Sequence, residues 1–405
     1  MSAATGTHDT DLPVFPGERA ARCPFNPPAE YAQWREQDGL RLVNWHGHTV
    51  WAVNRYEDIK AAMTDPRISA KTLGVLQGNG NHEDPGAPEV FPRMDDPEHA
   101  RLRRMLTKDF TVKRINAMRP QIVEMANDFI DTMLAKGQPA DLVQGYALPI
   151  PSLVISLLLG VPYTDHGFFQ AITSTMMTMS ASPQEKAKAS GQFFGYMMDL
   201  VARKEREPGD DLISRLIREH VQTGELRRET AAMNGIILLN AGHETTANMI
   251  ALGTVALLEN PETLARVRDT DDPDVIANAV EELLRYLTIV HSLVARVAME
   301  DVEIGGQLVK AGDGLIMNLP AGNWDPGFTE LPETLDIDRS VRGHVAFGYG
   351  VHQCIGQTLA RAELQIALPT LLRRLPGLRL AVPLDDLRFR NDMSIYGVHA
   401  LPVSW

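Results

Sequence analysis

Between Leu40 and Asn54 apolar residues (Val43, Trp45, Val50, Trp51 and Val53) cluster on either side of a His46-Gly47-His48 break, which predicts a β-hairpin. From Asp96 to about Arg285 the apolar positions recur at three- and four-residue intervals, so most of this stretch is predicted helical, with punctuation at Pro120, Gly137, Pro162, Pro208-Gly209 and Gly224. A second strand-like region runs from Leu293 to Leu319, with turns at Gly305-Gly306 and at Gly312 to Gly314. The remainder reads as loop, a helical run from Gln357 to Leu372 and a short C-terminal β segment. No linker, repeat or low-complexity block divides the chain, so a single domain over residues 1–405 is expected, mainly α with a small β region, preceded by a loosely ordered Pro-containing stretch at 1–20.

The longest helix is predicted from Thr230, a candidate N-cap, to Glu259, where Asn260-Pro261-Glu262 offers the cap and first-turn proline of the next helix. About 30 residues at the α-helical rise span ~45 Å, enough to cross the interior. Apolar runs Ile236 to Leu239 and Met249 to Leu252 flank a polar centre of Asn240, Gly242, His243, Glu244, Thr245 and Thr246. A carboxylate buried there is costly unless it is paired or used.

Composition removes several classes. Of the 405 residues 44% are hydrophobic and 22% charged, which fits an ordinary globular protein. A net charge of −13 opposes general binding to nucleic acid, which needs clustered cations. Two cysteines, Cys23 and Cys354, are too few for a disulfide framework and suit a reducing compartment. Met1 to Val14 lacks an apolar signal core, and the strongest apolar run, Leu153 to Val161, falls well short of the roughly 20 residues that cross a bilayer. A cytoplasmic, unanchored monomer is expected.

Candidate chemistry concentrates in Phe347-Gly348-Tyr349-Gly350-Val351-His352-Gln353-Cys354-Ile355-Gly356, just before the helical run. A lone cysteine is ordinarily a small buried hydrophobe. Here a glycine frame allows close backbone approach and positive φ, and a following helix N-terminus favours thiolate. Zinc is disfavoured, since a structural site wants four closely spaced ligands.

These segments resemble the cytochromes P-450, the haem-thiolate monooxygenases, and within them the soluble actinobacterial class. The cysteine loop matches the family's Phe-Gly-x-Gly-x-His-x-Cys-x-Gly signature, Ala241 to Thr246 matches its oxygen-activation motif, and Glu282-Leu283-Leu284-Arg285 its Glu-x-x-Arg motif. The resemblance implies one domain shaped as a triangular prism, with haem b between the long central helix and the cysteine-loop helix. It implies that Cys354 ligates the iron, that His99, Arg103, Arg296 and His352 meet the propionates, and that Ala241, Phe347, Gly348 and Gly356 line the cofactor. It makes Glu282, Arg285 and Arg339 a structural cluster, and Glu244 and Thr245 the catalytic proton-delivery pair.

Two residues depart from the family pattern: Trp324, where many relatives have arginine, and Asn240, where the residue is usually aliphatic. Asn240 is either an amide satisfied by neighbouring backbone or a substrate contact. Further contacts are expected from Ser69 to Pro92, Thr164 to Ala187, Ile289 to Val294 and Met393 to Tyr396, with Ser292, Val294 and Ile395 singled out. The activity implied is insertion of one atom of O2 into a hydrophobic small molecule by hydroxylation or epoxidation, in secondary metabolism or xenobiotic oxidation. No flavin or nicotinamide fingerprint is present, so electrons are expected from a ferredoxin and its NAD(P)H-dependent ferredoxin reductase. Arg101, Arg103, Arg104, Lys108, Lys113, Arg114 and Arg119, against the single acid Asp109 in that stretch, form the expected docking face. The rival readings are a haem-based gas sensor or carrier, and a peroxide-dependent enzyme of the same fold. Retention of Glu244-Thr245 speaks against both.

Overall fold

The computed structural model describes residues 12–19, 23–37, 39–71 and 87–405. The first apolar stretch forms its hairpin, Leu40–Trp45 against His48–Val53, with Leu40 opposite Val53 and Trp45 opposite His48. Both turn residues, His46 (φ 53°) and Gly47 (φ 86°), are left-handed, the geometry whose twist matches paired strands. Asn44 Oδ1 accepts from the Gly47 amide at 2.8 Å and fixes the turn. The second β region joins the same sheet: Gly314–Met317 pairs parallel with His48–Val53 and antiparallel with Ala295–Ala298, which meets Ile68–Ser69 at the edge. Val302–Ile304 and Gln307–Val309 form a separate hairpin on Gly305-Gly306, both at positive φ.

Helices build the rest. Val112–Lys136 continues straight through Pro120, which was expected to interrupt it. Its buried face of Ile115, Met118, Ile122, Ala126, Ile130 and Met133 outweighs one lost backbone bond, and Gly137 (φ 83°) ends it. The central helix is Arg228–Leu258 and packs on Pro149–Leu159, Pro183–Arg206 and the cysteine-loop helix Gln357–Arg374. Arg227, not Thr230, sits at its N-cap; Thr230 lies buried in the first turn, where its hydroxyl receives the Glu89 amide at 3.4 Å. Asn260 likewise does not cap Pro261–Asp269 with its side chain but donates back to the Ala256 carbonyl at 2.8 Å.

Gly242 does not break the central helix. A Cβ there would lie 2.8 Å from Ile155 Cγ1, so the glycine lets two helices approach closely. The described part of the N-terminal stretch is also packed rather than loose: Phe15 is buried, Val14 bridges to Asn44, and Arg19 donates to the carbonyls of Phe25, Leu287 and Thr288. Among the described residues no helix is long and apolar enough to cross a membrane.

Candidate active site

The central helix is buried almost all round, and one stripe of its middle is not. Met233, Ile237 and Thr245 are half-buried and Ala241 is exposed, at four-residue intervals, in a segment where, apart from the half-buried Gly242, the other residues are covered. A deep helix with one bare stripe borders an interior cleft. Cys354 has the same character: its side chain is exposed, yet burial within the protein dominates the thiol's titration and raises it. Against that rise act the Gly356 amide, the guanidinium groups of Arg103 and Arg361, and the Gln357 amide.

The cysteine loop is shaped by its backbone. The Cys354 amide donates to the Phe347 carbonyl at 2.9 Å, and Gly348 and Gly350 both adopt φ 70°. At Gly350 a Cβ would also press to 3.0 Å on the Met63 carbonyl. Gly356 has an ordinary φ of −84°, and a Cβ there would stand 3.9 Å from the sulfur, an ordinary contact. Phe347 lies under the Arg361 guanidinium, 4.6 Å from ring centroid.

Four predicted cationic or donor residues converge beside this loop. His99 is buried, its Nδ1 3.0 Å from Asp96 Oδ1, and its ring centroid is 4.0 Å from that of His352. Its Nε2 is buried with no partner. Burial, then the charges of Arg296 and His99, holds His352 down at about 3. Burial also lowers Arg296, which among the described residues donates only to the Ala295 carbonyl, at 2.8 Å. Arg103 donates to the Gln353 carbonyl at 2.6 Å. Phe91 joins the cluster to the central helix: its ring stacks on His99, and its amide donates to Asn234 Oδ1 at 3.2 Å. Asp95 acts on both Arg296 and His352; Arg103 and Arg296 are the cations of this cluster, and His352 is held neutral.

On the central helix Thr245 Oγ1 donates to the Ala241 carbonyl at 2.7 Å. The hydroxyl hydrogen is therefore used, and toward the cleft Thr245 offers lone pairs. Glu244 is buried, pairs with Arg390, and lies with Oε2 3.9 Å from His243 Nε2. Asn240 is buried and its Oδ1 has no partner, so the neighbouring backbone does not satisfy it. Ser292 is buried with Oγ unpartnered, and Val294 is half-buried. Ile395 is instead a core residue, 1% exposed and bridged to Val290, whereas Leu293, not singled out from sequence, is 46% exposed. Residues 72–86 of the Ser69 to Pro92 segment lie outside the described residues.

Glu282, Arg285 and Arg339 lie together. Arg285 grips Glu282 through Nε–Oε2 at 2.7 Å and Nη2–Oε1 at 2.8 Å, both side chains fully buried, and Arg339 Nε stands 3.6 Å from Glu282 Oε1. Arg285 also donates to the carbonyls of Asn323, Pro332 and Thr334. Trp324 stacks on Tyr286 and donates to its carbonyl at 2.9 Å, so indole packing occupies this position. The basic stretch is less bare than its sequence: Arg101 pairs with Glu89, Lys108 with Glu219 and Arg114 with Asp210, while Asp109 is turned inward to Arg215.

The whole constellation coincides with a sequence match to the family Cytochrome P450 over residues 38–376. This chain is a cytochrome P450. It is 49% identical to "Cytochrome P450-SU2" of Streptomyces griseolus, each covered over its full length, and 43% identical to "Pentalenic acid synthase" of Streptomyces avermitilis over 99% of both chains. The crystal structure of the mycinamicin VIII C21 methyl hydroxylase MycCI from Micromonospora griseorubida, bound to mycinamicin VIII, superposes with a TM-score of 0.90 at 37% identity, covering 97% of this chain and all of that one. The protein is thus a P450 monooxygenase with the P450 fold. Its residues fit the family's haem-thiolate group: a sulfur flanked by amides and guanidinium groups, and an orphaned imidazole nitrogen on His99 near His352, Arg103 and Arg296 that would serve an anionic group. Among the described residues no set of three or more His, Cys, Asp or Glu gathers as a metal cage.

Proposed function

We propose that this P450 binds haem b through Cys354 and inserts one oxygen atom into a hydrophobic small molecule, as substrate C–H plus O2, two electrons and two protons giving C–OH and water. Haem, when bound, supplies dioxygen activation, and thiolate ligation favours O–O cleavage. Phe347, Gly348 and Gly356 shape the sulfur's side, His99, Arg103, Arg296 and His352 meet the propionates, and Ala241 leaves room on the central helix. Thr245 accepts a hydrogen bond toward the cleft, and Glu244 carries protons from solvent. The observations that carry this reading are the bare stripe through Ala241 and Thr245 on a helix otherwise largely buried, and the Arg103 and Arg361 guanidinium groups acting on Cys354.

The unpartnered Asn240 Oδ1 and Ser292 Oγ favour a substrate with hydrogen-bonding groups on an apolar frame, since each unpaired atom costs about 1–3 kcal/mol. Hydroxylation in secondary metabolism fits the relatives, one of them a methyl hydroxylase bound to mycinamicin VIII. Electrons come from a ferredoxin with its NAD(P)H-dependent reductase. The docking face narrows to Arg104 and Lys113, exposed cations with no acid partner among the described residues; Arg119 has no acid partner either but donates to Asn116 and Gln365. We place the enzyme in the cytoplasm as a monomer.

The reduced protein with carbon monoxide should show the strongly red-shifted Soret band of thiolate-bound haem, and Cys354→Ala should abolish it. Retention of that band in the variant would refute the ligand assignment. Thr245→Ala should keep haem content and ligand affinity while hydrogen peroxide rises at the expense of oxygenated product; full coupling would remove Thr245 from the relay. A peroxide-dependent enzyme would be as fast with hydrogen peroxide as with ferredoxin and reductant, and a gas sensor would turn over neither.

A further inference from the structure

Glu244 has a partner that no motif announces, the guanidinium Nη1 of Arg390, both side chains largely buried. Arg390 belongs to the loop 389–398, and its own backbone grips it: the amide donates to the Gly397 carbonyl at 2.8 Å and Nε to the Val398 carbonyl at 3.1 Å. Tyr396 donates its amide to the Ile289 carbonyl at 2.8 Å, His291 Nε2 reaches the Met393 carbonyl at 2.6 Å, and the Met179 amide reaches the Asp392 carbonyl at 2.9 Å. Gly397 lies so tightly against Asn248 of the central helix that any Cβ would collide with it. The loop therefore presents Arg390 to the central helix from a fixed frame.

Other groups near Glu244 do not supply the counter-charge. His243 is fully buried, and burial lowers its pKa, so it is neutral at pH 7. Asn248 Nδ2, 3.5 Å from Glu244 Oε1, adds a weak contact. A buried carboxylate facing one guanidinium is held strongly, because separating them leaves a desolvated charge.

We propose that Arg390 is a positioning residue that holds the Glu244 carboxylate in one orientation at the edge of the cleft, so that each proton Glu244 passes requires this ion pair to open and re-form. This rests on the reading of Glu244 as the relay acid.

The test uses haem-loaded wild type, Arg390→Leu, Arg390→Lys, Glu244→Gln and the double variant Arg390→Leu/Glu244→Gln, with dioxygen and a chemical reductant as the probe and no organic substrate. In the resting protein, Arg390→Leu should gain an infrared band in the protonated-carboxyl region that wild type, Arg390→Lys and the double variant lack. Under reductant, Arg390→Leu should slow oxygen consumption by about tenfold and change its solvent isotope effect, a smaller loss than the ~100-fold or more expected when a proton donor is removed. Arg390→Lys should recover most of the rate, and the double variant should match Glu244→Gln.

Wild-type rate and isotope effect in Arg390→Leu, or an equal slowing in the Glu244→Gln background, would overturn the proposal. If Glu244→Gln is itself unchanged, the relay reading falls first and the proposal with it. If only Arg390→Leu is unchanged, the relay stands and the positioning role fails. Should Arg390→Leu not take up haem, Arg390→Gln, which retains a donor to the Val398 carbonyl, is judged by the same outcomes.

Discussion

The two walls of the site are built on opposite plans. On the cysteine side Glu282, Arg285 and the loop around Cys354 are fixed by paired charges and backbone bonds: Glu282 receives both Arg285 and the Asp336 amide, and Arg285 satisfies three carbonyls besides. On the central-helix side Asn240 Oδ1 and Ser292 Oγ are buried without partners, and one ion pair, Glu244–Arg390, holds the acid. The Glu282–Arg285 cluster spends its hydrogen bonds on its own geometry, whereas Asn240 Oδ1 and Ser292 Oγ, like His99 Nε2 beside the cysteine loop, are left for ligands. A side that would hold a cofactor through Cys354 calls for rigidity, whereas one that would accept substrate calls for unsatisfied or exchangeable groups.

The contrast predicts unequal responses to substitution. Arg285→Ala should produce the largest effect, a loss of about 3–5 kcal/mol, because it leaves the buried Glu282 carboxylate with only the Asp336 amide and the longer Arg339 contact. Denaturant midpoints and haem content would check it, and a variant of near wild-type stability would show that this wall is not held by the cluster. Asn240→Leu should behave in the opposite sense. Removing an unpartnered buried amide should stabilise the ligand-free protein by about 1 kcal/mol while weakening polar ligands or changing their regioselectivity. Lower thermal stability with unchanged ligand affinities would mean that the amide is structural.

A smaller effect concerns Glu281 at the edge of the cysteine side. Burial alone would raise its carboxyl, but hydrogen bonds from His344 and Arg361 bring it from the ordinary 4.5 down to about 2. A depressed carboxyl contributes stability that is fully present above its unfolded value and is lost as pH falls from about 4.5 toward 2. Glu281→Gln should therefore be less stable than wild type at pH 7, with the gap closing toward pH 2 in thermal melts. A gap independent of pH would assign the loss to packing.

Much of this architecture was legible in the sequence because it depends on local rules. The alternation and left-handed turn residues specified the hairpin, the three- and four-residue spacing specified the helices, and the glycine-framed loop specified Cys354. The family signatures then named Glu282, Arg285, Glu244 and Thr245 together. Arg390 carried no signal, since a lone arginine in a C-terminal loop acquires its role only when that loop is folded against a helix far away in the chain. Ile395, singled out as a contact, is buried in the core while Leu293 beside Ser292 is exposed, because neighbouring loop residues look alike until packing decides which is covered. Thr230 and Pro120 show local preference overruled, one drawn into a buried turn and the other carried inside a helix by its apolar face. The chain by itself determined which elements form and which residues can do chemistry. Only the tertiary structure decided which polar groups found partners and which were left free, because burial and pairing are properties of distant segments brought together.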